Sequence, residues 1–119
     1  MQWALDAGKF FDIEIYAWFE YGLMTSYGSI NNEFAHYAQE KGWILGQYNN
    51  AFFWMDPEKI EVLQFLAGIM KDAIVNYGPK GLRGVQLDDH FATPIGLGRS
   101  KTSMDSAMNY IRKAINEVA

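Results

Sequence analysis

Residues 12–20, Asp-Ile-Glu-Ile-Tyr-Ala-Trp-Phe-Glu, alternate with period two. Ile13, Ile15, Ala17 and Phe19 fall on one face, and Glu14, Tyr16, Trp18 and Glu20 on the other. This pattern predicts a half-covered β-strand, because successive side chains of an extended chain point to opposite faces. A second strand is expected over 82–88, where Val85 and Leu87 alternate with Gln86 and Asp88. If the aliphatic face of each strand packs on helices, then Trp18, Glu20, Gln86 and Asp88 all point the other way.

Helical signals surround the two strands. A short helix is expected from Gln2 to Lys9, with no capping residue before it, which reads as a cut through a longer protein. Tyr21 to Tyr27 reads as a loop, and Asn32 to Lys41 as a helix ended by Gly42. Gly46 to Asn50 is rich in turn residues, and the apolar patch Ala51 to Met55 is too short to assign by period. The clearest helix has Asp56 at its N-cap, Pro57 in its first turn and Gly78-Pro79 at its end. Ile60, Leu63, Leu66, Met70, Ala73 and Tyr77 form its apolar stripe. A last helix is expected to start near Ser103, with Thr102 and Asp105 at capping-box spacing. Its stripe is Met104, Met108, Ile111, Ile115 and Val118.

The resulting order of helix, strand, helix, helix, strand, helix implies right-handed βαβ units and a parallel sheet. Two strands alone cannot cover both faces of a parallel sheet, so the expected fold is part of a larger α/β protein. The 119 residues suit one continuous unit, 1–119, without repeats or a Ser/Pro-rich linker. A net charge of −4 argues against a broad phosphate-binding surface, so no nucleic-acid partner is expected. No apolar run is long enough to span a bilayer, and the N-terminus lacks a signal-peptide pattern. The absence of cysteine excludes disulfides, thiolate nucleophiles and cysteine zinc sites, and identifies no compartment. Four Trp, seven Tyr and eight Phe exceed what a small core needs, which points to aromatic surface kept for a ligand.

Chemistry concentrates where the two strands end, at Trp18-Phe19-Glu20-Tyr21-Gly22 and at Gly84 to Phe91. Adjacent strands lie about 4.8 Å apart, so Glu20 and Asp88 can face one another across one pocket. Carboxylates roughly 5 to 9.5 Å apart are what glycosidases use, as nucleophile plus acid or base plus acid. The two can divide these roles if one is desolvated and the other stays ionised. Asp89 is a candidate to share the work of Asp88, and Gln86 to orient it. Trp18, Trp43, Trp54 and Phe91 are candidate stacking platforms for sugar rings, with His90 as a further contact and Tyr21 at the rim. Each has a structural alternative: Asp88 can cap the following loop, Trp43 and Trp54 can be core, and Asn49 and Asn50 suit a turn. Neighbouring strand residues face opposite sides, which argues against Asp88, Asp89 and His90 sharing one metal ion; no metal or other cofactor is expected.

Three segments, FDIEIYAWFEYGLM (11–24), WMDPEKIEVLQFLAGIMKDAIVNYG (54–78) and GLRGVQLDDHFATP (81–94), resemble the family 10-like glycosyl hydrolases. The family's pattern is a strand ending in Trp-Phe-Glu/Asn, then Leu/Met-Asp/Asn-Pro opening a helix, then a paired-aspartate motif with a proline five residues on. The resemblance runs from about Ala4 to Val118, and GVQLDDHF is its most specific part. It implies a (β/α)8 TIM barrel, of which this chain would hold two β/α units, the third and fourth strands with their helices. A complete barrel needs roughly 250 residues. Asp88 and Asp89 match the paired aspartates, whereas the acidic residue usual before the motif glycine is absent here. The resemblance further implies hydrolysis of O-glycosidic bonds in a glycan, no cofactor, and an extracytoplasmic setting. The rival expectations are a carbohydrate-binding module without catalysis, and a fragment that associates with copies of itself or with the remainder of the barrel.

Overall fold

A computed structural model of the chain describes residues 1–20 and 22–119. The chain runs through α1 (Gln2–Phe11), β1 (Ile15–Phe19), β2 (Met24–Tyr27), α2 (Glu33–Glu40), β3 (Ile44–Gln47), β4 (Phe52–Met55), α3 (Ile60–Tyr77), β5 (Leu82–Leu87) and α4 (Lys101–Asn116). It is a mixed α/β arrangement with a two-stranded parallel sheet, β1–β5, and a three-stranded antiparallel sheet in the order β2-β4-β3. No closed barrel is present among the described residues.

The alternating patterns form the parallel pair. Tyr16 lies opposite Gly84, Trp18 opposite Gln86 and Phe19 opposite Leu87. Ile15 pairs with Leu82 and Tyr16 with Gly84, so Arg83 is an extra residue on β5. This bulge restores the alternation and leaves Val85 and Leu87 on the packed face. There Phe19, Val85 and Leu87 meet the main core, in which Val62, Leu66 and Met70 of α3 pack with Met104 and Ile111 of α4. Ile15, Ala17 and Leu82 meet a smaller cluster around Leu5 of α1 and Ile74 of α3. The stripes read from the sequence of α3 and α4 therefore face the core, except Ile60 at the start of α3, which is exposed.

The antiparallel sheet corrects the expected element order. Residues 24–27, expected to be loop, are β2, and the unassigned 51–55 patch contains β4 at the centre of the sheet. Thr25 and Ser26 of β2 are both buried, so no alternation marks that strand. Its position comes from long-range partners: Met55 N–H donates to Leu23 O at 2.7 Å, and Gly28 N–H to Ala51 O at 2.9 Å. Asn49 and Asn50 have φ of 52° and 55°, the left-handed pair that a tight β3–β4 hairpin requires. Ala51 N–H closes that turn onto Tyr48 O at 3.0 Å.

Two helix starts also differ from the sequence reading. Asp56 does not cap α3, which begins at Ile60. Its Oδ1 accepts from the Glu58 backbone N–H at 2.9 Å, so residues 56–59 form a separate turn before the helix. α4 starts earlier than expected, because Ser100 and Ser103, not Thr102 and Asp105, form the capping box. Asn32, read as the first residue of the second helix, is its N-cap: Asn32 Oδ1 accepts from the Ala35 N–H at 2.7 Å. Gly42 beyond α2 has φ of 73°, which a side chain would resist. Topologically, β2, α2, β3 and β4 are all inserted between the carboxyl end of β1 and α3, the helix that leads back to β5.

Candidate functional site

β1 and β5 end side by side. The face of the pair opposite the core carries Tyr16, Trp18, Gly84 and Gln86, and Trp18 is 61% exposed. A Cβ on Gly84 would lie 3.3 Å from the Tyr16 ring, so the glycine lets that ring lie close across β5. Carried one residue beyond Trp18–Gln86 and Phe19–Leu87, the register sets Glu20 beside Asp88.

Asp88 is extended, with φ −102° and ψ −172°, so strand geometry persists through it. Its side chain makes no capping bond; the backbone does that work, Phe91 N–H donating to Asp88 O at 3.0 Å. Asp88 is half-buried, and no hydrogen bond or ion pair from its carboxylate to a described residue is present. Asp89 opens a short 3-10 turn over 89–91 and is exposed, with Oδ1 3.8 Å from His90 Nε2. Largely buried, His90 packs its ring against Phe52 of β4, with centroids 5.3 Å apart. Its carbonyl accepts from the Leu23 N–H at 3.0 Å. These contacts tie the antiparallel sheet to the carboxyl end of β5. Glu20 and Gln86 are exposed, and Tyr21 lies outside the described residues.

The aromatic candidates separate clearly. Trp18 is open to solvent. Phe91, expected as a stacking platform, is only 8% exposed. The 3-10 turn swings its ring against Gly22, where an added Cβ would come within 2.3 Å of it. Trp43 is core, in contact with Tyr37 and Phe65. Trp54 is 9% exposed, and what remains open borders a hollow of about 410 Å³ between Met24, Tyr48 and the 92–97 loop.

One pair had no sequence signal, because its members stand 43 positions apart. Arg99 donates from Nε to Asp56 Oδ1 at 2.9 Å and from Nη2 to Asp56 Oδ2 at 2.8 Å, with Glu58 Oε2 also 2.9 Å from Nε. This fork ties the segment after β5 to the start of α3. The bond from Arg99 holds the Asp56 carboxyl below its ordinary range; burial pushes the other way, and the Glu58 N–H and the charges of Arg99 and Lys59 add to the lowering. Among the described residues, no three potential ligands gather to hold a metal ion. No helix among them is long and apolar enough to cross a membrane.

No curated protein and no solved structure matches the chain. Residues 1–117 match the glycosyl hydrolase-like 10 family. With nearly its whole length covered, the chain belongs to that glycosyl hydrolase-like family.

Proposed function

We propose that the chain hydrolyses O-glycosidic bonds of a glycan, with Asp88 as the principal catalytic carboxylate. Asp89 supports or shares that role, Glu20 is the second acid or accepts a substrate hydroxyl, and Gln86 orients Asp88. The supporting observation is Asp88 itself: a half-buried carboxylate, without a described partner, at the carboxyl end of a parallel strand. Leaving such a group unpaired is unfavourable, so the fold keeps it for something outside the chain. In this reading one carboxyl group protonates the departing glycosidic oxygen. The other attacks the anomeric carbon or deprotonates the water that does. Trp18 offers its indole face to the C–H face of a sugar ring beside the acids.

The larger architecture follows the same reading. β1 and β5 are taken as neighbouring strands of a (β/α)8 barrel, with α3 and α4 on its outer layer and the acids at the strand ends where such barrels work. Two parallel strands whose outer edges pair with no other described strand support this, since those edges need a covering surface, either the remaining strands or a second copy.

Asp88→Asn is expected to lower turnover of a cleaved glycan by about 100-fold or more, the scale of positioned acid–base catalysis. Unchanged turnover would remove Asp88 from the mechanism. The exposed Trp18 favours one rival, a glycan-binding surface without chemistry. That rival requires saccharide binding that survives loss of both aspartates and fails with Trp18→Ala.

A further inference from the structure

The hollow beside Trp54 is a built pocket with no charged residue in its wall. Met24, Tyr48, Trp54, Pro94, Ile95 and Leu97 supply most of its lining, and its volume is about 410 Å³, within the range of small-ligand sites. Two glycines set its width. A Cβ on Gly96 would fall 2.2 Å from the Tyr48 ring, and one on Gly46 would fall 3.2 Å from Leu97. The 92–98 loop thus lies closer to β3 than side chains there would allow. Arg99, forked onto Asp56, anchors the end of that loop. The other end is continuous with Asp88-Asp89-His90. His90 in turn touches Phe52, next but one to Trp54 on β4.

The composition of the wall selects the ligand. A sugar ring needs several charged or amide side chains to bind its hydroxyls, and the described lining offers none of these, its polar side-chain groups being the Thr93 and Tyr48 hydroxyls and the Trp54 indole N–H. Indole, phenol and thioether walls favour a flat aromatic group, through edge-to-face and sulfur–ring contacts. Ile95 at the rim is 73% exposed, an apolar surface left uncovered. We propose that this hollow binds an aromatic group carried by the glycoside, so that the preferred substrates are aryl glycosides. This rests on the hydrolase reading and adds the substrate class to it.

The test uses the full chain and two probes: 4-nitrophenol alone, titrated to equilibrium, and a panel of 4-nitrophenyl against methyl glycosides of the same sugars. Saturable 4-nitrophenol binding is expected, weakened about three- to tenfold by Tyr48→Ala. Tyr48 is half-exposed, so its loss leaves the core intact. Ile95→Glu, a second exposed position, should weaken binding as well. Absent binding, or binding indifferent to both substitutions, overturns the proposal. If 4-nitrophenol binds as expected and no glycoside is cleaved, the hollow stands and the hydrolase reading falls. If aryl glycosides are cleaved and Tyr48→Ala leaves their KM unchanged, the aromatic site falls and the hydrolase reading stands.

Discussion

Trp18 and Phe91 are both aromatic residues near a strand end, yet one is open and the other is core. The difference lies in the backbone. Trp18 sits within β1, where period two fixes its face, and that face was legible from Ile15, Ala17 and Phe19; Ile13, expected beside them, precedes β1 and is exposed. Phe91 follows the point where β5 ends, and a 3-10 turn, which no periodicity announces, redirects it toward Gly22. Phe91→Ala is therefore expected to behave as a core truncation, costing about 3–5 kcal/mol in denaturant unfolding. A loss below about 1 kcal/mol would mean that Phe91 is not core. Asp88 was readable in position, immediately after β5. That its carboxylate caps nothing was not, because a capping role for an aspartate beginning a loop is equally consistent with the sequence.

The elements with strong local signals, β1, β5, α3 and the stripe of α4, formed close to where their patterns put them. Those that failed depend on distant partners. β2 has two buried polar residues and no alternation, and its strand geometry comes from β4 across the sheet. Asp56 carries every local mark of an N-cap, and Arg99 and the Glu58 N–H claim its carboxylate instead. The Asp56–Arg99 fork has a pH signature. The folded carboxyl ionises below its unfolded counterpart. Its stabilisation is thus full above the ordinary carboxylate range and is lost as pH falls through that range toward the lowered value. Asp56→Asn should accordingly lower the Tm by a few degrees at neutral pH, with the gap to wild type closing in acid. A gap of constant size from neutral to strongly acid pH would show that the fork contributes nothing through its charge.

As a whole, the molecule divides into a covered side and an open one. Helices α1, α3 and α4 cover one face of β1–β5, while Tyr16, Trp18 and Gln86 leave the other face to solvent. The antiparallel sheet, inserted after β1, is tied to the carboxyl end of β5 through His90 and carries the aromatic hollow. The family match supplies the glycosyl hydrolase-like setting for that arrangement. The four tryptophans report on it separately: Trp3 and Trp18 are exposed, and Trp43 and Trp54 are buried. Titrating an oligosaccharide without aromatic groups into the labelled chain, and following the four indole N–H signals by NMR, would locate the bound glycan. A saturable shift of the Trp18 signal, with the Trp43 and Trp54 signals unmoved, is the expected result. Saccharide binding that leaves Trp18 unmoved would contradict a glycan site at the ends of β1 and β5.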